Sequence, residues 1–300
     1  MSQLVQIRPL LPAEGTFPTV PMNALDTLWF QVAGTICNLE CTHCFISCSP
    51  QNHAHEMMTL EQVLAYLDEA KHLGVREYYF TGGEPLMNKS IYAMFEASLA
   101  QGPTSFLTNG VLIKDKVAER LKALSDGSDY SFDVRISIDG YSAADNDPIR
   151  GAGTYDRILA GIEALANVGL NPVITVTEVC GDAATRAGRT RFLEFLKKIG
   201  LSQPRLKILP LLRMGAEEQR ERGYHRWESL AGAHLSKEEL SALQCSSCRI
   251  ACASGVYVCP ILIDAPGARM GDTLASTLRS FPLEYQACFT CHAEGLSCAT

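Results

Sequence analysis

The sequence predicts an α/β fold, a parallel sheet with helices outside it, followed by a cysteine-rich tail. Three observations carry this. Short apolar runs rich in β-branched and aromatic residues recur six times between residues 28 and 211. Helical patterns lie between most of them. Each motif of chemical character falls just past the end of one of those runs, where ligands gather in parallel sheets.

The predicted strands are Leu28–Val32, Glu77–Thr81, Ser105–Thr108, Val134–Ile138, Val173–Val179 and Arg205–Leu211. The clearest helix is Thr59–Leu73. Its Leu60, Val63, Leu64, Leu67 and Ala70 share one face, Thr59 with Gln62 forms a capping box, and Gly74 suits the C-terminal cap. Further helical patterns are Ile91–Leu99, Lys114–Leu124, Thr154–Val168 and Arg191–Ile199, the last two stopped by Gly169 and Gly200. A barrel and a doubly wound sheet both satisfy this alternation, and periodicity alone does not choose between them. Residues 1–27 hold four prolines and no periodicity and read as a lead-in arm, too short to fold alone as a recognition domain. Residues 28–215 form the main domain, 216–244 a polar linker helix, and 245–300 a small cysteine-rich domain.

Composition narrows the class. The chain has 300 residues, a formal net charge of −7 and no long basic run, which argues against nucleic-acid binding. The Arg-rich stretch 186–226 is interleaved with glutamates and reads as a solvated surface. The N-terminus lacks a basic segment followed by an apolar one, and no apolar run reaches the roughly 18 residues a membrane helix needs. A cytoplasmic chain without a membrane partner is the expectation. Twelve cysteines in such a compartment point to metal rather than disulfides. Four lie between 37 and 48, Cys180 stands alone as an incidental thiol, and seven lie between 245 and 298.

Cys37, Cys41 and Cys44 sit directly after the first strand. Three thiolates so close can wrap one corner of a [4Fe–4S] cluster, which normally takes four cysteines. Three ligands leave one iron open to chelate the amino and carboxylate groups of an amino acid. Structural zinc is the plain alternative, but its paired Cys-x2-Cys motifs match this spacing poorly. Cys48 as a fourth, closing ligand is the other.

The Cys-x3-Cys-x2-Cys spacing resembles the signature of the radical S-adenosylmethionine (SAM) superfamily. His43 stands where that family usually has an aromatic residue beside the adenine. Gly82, Gly83, Glu84 and Pro85, after the second strand, resemble the motif that holds the SAM amino group. Paired glycines allow close backbone approach, and a glutamate can accept from an ammonium. Ser137, Asp139 and Gly140, then residues 146–155, resemble the matching stretch of the sulfatase-maturing branch. Ser137 and Arg150 are thereby candidates for the SAM ribose or carboxylate, with Asp139 a weaker one since Asp-Gly is often only a turn. The likeness spans about 28–215 and implies a partial (β/α)6 barrel of TIM type.

In the tail, Cys245, Cys248, Cys252 and Cys259 precede Cys288, Cys291 and Cys298. Seven thiols exceed one site, and a small region with little core needs such staples. A zinc ribbon is the alternative, though Cys248 to Cys288 is a long spacer for it. Residues 255–260, with Gly271, Asp272 and the Cys288/Cys291 pair, resemble the SPASM or shorter Twitch extension that carries auxiliary Fe–S clusters. In that match Cys252 and Cys259 take the first two positions, with a shortened segment between them. Whether one or two auxiliary clusters form stays open. The resemblance implies an enzyme that uses SAM and an electron donor such as flavodoxin or ferredoxin. It would act on a peptide or protein or, alternatively, oxidise or rearrange a small molecule. A non-catalytic Fe–S electron carrier would explain the cysteines but not the glycine motif or Arg150, and a zinc-stabilised interaction module is a third class.

Overall fold

The structure, a computed structural model, describes residues 16–179 and 182–295. After the short strand β1 (Thr19–Val20) come six strands: β2 (Thr27–Gln31), β3 (Glu77–Thr81), β4 (Thr104–Thr108), β5 (Phe132–Ser137), β6 (Val173–Thr177) and β7 (Arg205–Leu209). All six are parallel, and each pairs with its successor. A doubly wound sheet would reverse its order partway, and this one does not. The barrel alternative is therefore the one that forms, matching the partial barrel implied by the resemblance.

Helices α1 (Leu60–Leu73), α2 (Ile91–Leu99), α3 (Asp115–Asp126), α4 (Ala143–Arg150), α5 (Thr154–Asn167) and α6 (Arg186–Lys198) fill the crossovers. The capping box of α1 is present, and Gly74 closes it at φ 77° in the left-handed region. Two helices depart from expectation. α6 begins at Arg186 rather than Arg191, because Thr185 caps it and its polar first turn carries no apolar periodicity to read. α4 was not expected at all. It is a short polar helix with Pro148 inside it, seated by Ser142 donating to Asp145.

The barrel has two faces, as period-two alternation requires. Outward, Phe30 stacks on Phe80 and Phe106 on Phe132, and Phe95 of α2 packs onto Phe80, Phe106 and Phe132. Inward, the lower lumen is plugged by polar and aromatic groups. Arg205 forms a bidentate pair with Asp133 at 2.6 and 2.9 Å, Thr27 donates to Glu77, and Trp29 stacks on Tyr79 at 4.4 Å. Arg135 donates to the Tyr79 hydroxyl from the opposite wall. The plug leaves the lumen open toward the C-terminal ends of the strands.

The region 216–244 does not form one helix. It holds α7 (Ala216–Arg220) and α8 (Lys237–Ala242) with irregular chain between them. Buried carboxylates explain the break. Glu217 and Glu228, nearly free of solvent, pair with Arg220 and Arg222, and Glu228 also accepts from the His225 backbone N–H. Part of the Arg-rich stretch thus folds around internal ion pairs instead of lying wholly in solvent.

The cysteine-rich segment continues the sheet. β8 (Cys248–Cys252) pairs in parallel with β2, and β9 (Gly255–Tyr257) and β10 (Arg269–Gly271) extend it antiparallel to give nine strands. β11 (Phe281–Pro282) pairs with β1, and α9 (Gln286–Ala293) follows. Residues 16–27 are likewise no free arm: Asn23 and Asp26 donate to Ser246 and Ser247, and Leu283 donates to Pro18. Cys180 and Cys298 lie outside the described residues.

Candidate active site

The loop from 32 to 58, between β2 and α1, carries the first cysteines across the open end of the barrel. Glycines make its close seating possible. A Cβ on Gly83 would lie 1.9 Å from the Ile36 carbonyl oxygen, and one on Gly34 2.0 Å from that of His55. Gly83 donates to Gly34, Glu84 to Ile36, Thr42 to Ile149 and Ala216 to Cys44, so the loop is anchored at several strand ends.

Cys37, Cys41 and Cys44 all line a cavity of about 240 Å³ at the mouth of the barrel. Gly82 and Gly83, Asn109, Ser137, Thr175, Thr177 and Leu209 line it from the ends of five strands, with His43 and Arg150 at its wall and Trp29 at its floor. Trp29 is buried, and among the described residues its indole nitrogen has no hydrogen-bond partner.

Hydrogen bonds aim at the sulfurs. The Leu39 N–H points at Cys37 Sγ (3.4 Å) and the Cys48 N–H at Cys44 Sγ (3.3 Å), while Asn109 Nδ2 lies 3.7 Å from Cys37 Sγ and donates to Asn38 at 2.8 Å. Burial pushes the Cys37 thiol up to about 12 and the Cys41 thiol up to about 11. Cys44 is lowered, because the Cys48 thiol and nearby backbone N–H groups donate to it. Cys48 also lines the cavity, beside Cys44.

Among the described residues no three Cys, His, Asp or Glu side chains close on a single-ion site. The thiols ring a cavity instead, and this donor set fits a multi-iron cluster with room beside it for a ligand.

The other expected site residues divide. Gly82, Gly83, Ser137, His43 and Arg150 reach the cavity. Glu84 does not. Fully buried, its carboxylate accepts from Thr108 Oγ1 (2.8 Å) and from the backbone N–H groups of Asn109 (2.9 Å) and Leu86 (3.1 Å). It ties the β3 end to the β4 end, and the backbone of the glycines faces the ligand space. Pro85, buried, opens the single turn that follows.

Asp139 is also fully buried outside the cavity wall, so it is no bare turn residue. One of its oxygens lies 2.8 Å from both His43 Nε2 and Arg150 Nε, and the other accepts from the Thr177 N–H. Burial would raise its pKa, but Arg150 and His43 outweigh this and hold the carboxyl well below the usual carboxylate range. His43 and Arg150 are thus positioned through one carboxylate. Asn146 steadies the same turn by accepting from the Asp139 N–H and donating to Thr154.

In the tail, Cys245, Cys259, Cys288 and Cys291 line one small apolar cavity together with Val258, Leu262, Phe281 and Leu283. Cys248 and Cys252 lie on β8, buried, and do not line it. Cys245 shares that cavity with Cys259, whereas Cys252 does not. The strand-forming run 248–252 places Cys252 at the far end of β8 from Cys245, which precedes the strand. Trp29 and Thr175 were missed as wall residues. The position of Asn109, just past a strand end, was readable.

The radical SAM superfamily model matches residues 32–196, more than half of the chain, and the chain belongs to that superfamily. The mycofactocin maturase MftC of Mycolicibacterium smegmatis is 37% identical over 134 residues, 44% of this chain and 32% of that protein. A probable GTP 3′,8-cyclase of Methanosarcina acetivorans is 37% identical over 147 residues, 46% of this chain and 41% of that protein. The chain thus matches roughly a third to two fifths of the length of these curated relatives. Streptococcus suis SuiB, solved with S-adenosylmethionine and with its precursor peptide SuiA, shares the fold at a TM-score of 0.64. Identity there is 17% and 16%, covering 88% and 92% of this chain and 67% and 72% of SuiB. These relatives support SAM with a [4Fe–4S] cluster as the family's cofactors. Among the described residues no helix is long and apolar enough to cross a membrane.

Proposed function

We propose that this protein is a peptide- or protein-modifying radical SAM enzyme. Its SAM-binding cluster would be held by Cys37, Cys41 and Cys44, and one auxiliary cluster by Cys245, Cys259, Cys288 and Cys291. Bound there, the first cluster would supply the one-electron reduction that splits the SAM C5′–S bond into methionine and a 5′-deoxyadenosyl radical able to take a hydrogen atom from substrate. The observation that carries the reading is the meeting of three thiols, the Gly82–Gly83 backbone, Ser137 and Arg150 around one cavity.

The chain's own groups prepare that chemistry. The Leu39 and Cys48 N–H groups stabilise thiolate charge. Asp139 fixes the direction of Arg150, whose guanidinium suits a carboxylate. Walls of Leu107, Leu209, Leu211 and Ile261 exclude water from the space where a carbon radical would form. The likeness to MftC and to peptide-bound SuiB supports a peptide substrate. The equal identity to the GTP cyclase supports a small molecule as the second reading. A flavodoxin or ferredoxin would deliver the electron, and the cytoplasm is the compartment that keeps these thiols reduced.

The test is anaerobic reconstitution with iron and sulfide, comparing wild type with the variant Cys37→Ala/Cys41→Ala/Cys44→Ala. We expect about eight irons per chain in wild type and about four in the variant, one cubane fewer. With dithionite and SAM, only wild type forms 5′-deoxyadenosine. Bound zinc, or a fully loaded wild type that leaves SAM intact, would overturn the reading.

A further inference from the structure

A buried cation without a counter-ion stands beside the auxiliary thiols. Arg249, on β8, heads the side chains that are fully removed from solvent. Its guanidinium makes five hydrogen bonds, all to backbone carbonyls. Nη1 donates to Cys245 (2.8 Å) and Cys248 (2.7 Å), Nε to Thr277 (3.1 Å), and Nη2 to Thr277 (3.0 Å) and Arg279 (3.0 Å). Among the described residues no carboxylate lies within ion-pair distance of it. Neutral carbonyls satisfy its donors but not its charge, and a buried charge without an opposite one is costly. Burial pushes Arg249 below its ordinary value, the nearby thiol groups of Cys248, Cys245 and Cys259 act against this, and Arg279 adds to the lowering. Cys245 and Cys259 belong to the set of four around the apolar cavity.

Four thiolates around a cubane make a dianion, and reduction adds a further negative charge. A cation held at fixed distance in a dry setting favours the more negative state, since little solvent screens it. We infer that Arg249 is the counter-charge of the auxiliary Fe–S site, a positioning residue that stabilises its reduced state while pinning the Cys245–Cys248 turn. The inference rests on the proposed four-thiol site. It adds that the chain has invested a buried, uncompensated charge in making that site easier to reduce.

The experiment uses reconstituted protein in the Cys37→Ala/Cys41→Ala/Cys44→Ala background, so that only the auxiliary site contributes. Iron content is measured first, then the reduced cluster's electron paramagnetic resonance signal against an applied potential. Arg249→Met is expected to weaken reduction at least tenfold, a potential lower by about 59 mV for one electron. Arg249→Lys keeps the charge and should keep most of the potential, although it loses the fork of hydrogen bonds. Where Arg249→Met fails to fold, Arg249→Gln keeps amide donors for the carbonyls while removing the charge, and the same drop is expected. An unchanged potential in the uncharged variants, with stability reduced alike in the lysine and uncharged forms, would overturn the inference and leave Arg249 a scaffold residue. Absence of iron from the background variant would instead defeat the four-thiol site itself.

Discussion

Single residues at this site act mostly by fixing others. Gly83 is the strictest, because a methyl group there meets backbone rather than a side chain that can swing away. Gly83→Ala should displace the cysteine loop and lower iron content by about four per chain, with the auxiliary site still loaded. A full complement of iron would mean that the loop relaxes. Asp139 carries the other prediction. Asp139→Asn leaves Arg150 buried without its partner and should cost about 3–5 kcal/mol in urea unfolding of the apoprotein. Because the Asp139 carboxyl is held below its ordinary value of 3.8, the pair's contribution is complete above that pH and lost on acidification below it. The variant should therefore show a shallower acid limb than wild type.

At the scale of elements, the 32–58 loop holds together the three proposed cluster ligands. Cys37 and Cys41 are lifted by burial, so their thiols are protonated near neutrality and must release protons to bind iron. Iron uptake by the apoprotein should accordingly keep rising with pH from neutrality upward, and a flat profile would argue that the thiols are already ionised. The bounds of the neighbouring helix α1 were legible, from the Thr59 cap to Gly74, because those signals are local, although Leu64 of its expected apolar face is exposed. The 216–244 segment was not. Its charged pattern suits a helix, yet Glu217 and Glu228 turn inward to Arg220 and Arg222 of the same segment, and a charge pattern does not show which carboxylates folding will bury.

Across the whole molecule, the cysteine-rich segment completes the barrel's first edge. β8 covers β2, whose Leu28 and Phe30 are fully buried, and adds a seventh parallel strand to the sheet. A chain ending at residue 244 would expose the hydrogen-bonding edge of β2 and should aggregate or lose most of its soluble yield. A soluble fragment with unchanged thermal midpoint would show that β2 needs no cover. The same pairing brings the two cysteine regions onto neighbouring strands of one sheet, with Pro260 and Ile261 among the walls of the first cavity.

Much about this protein was determined by sequence alone. Short apolar runs and helical periodicity located the six parallel strands and all the longer helices. The cysteine spacing with the glycine pair marked the cluster loop, since both lie within a few residues of a strand end. Tertiary structure alone decided three things. It chose barrel over doubly wound sheet, because strand order is a matter of pairing. It turned Glu84 and Asp139 from ligand candidates into buried struts, because a carboxylate's role depends on which donors surround it. And it sorted Cys245 with Cys259, Cys288 and Cys291, because thiols far apart in the chain share a site only when folding closes the loops between them.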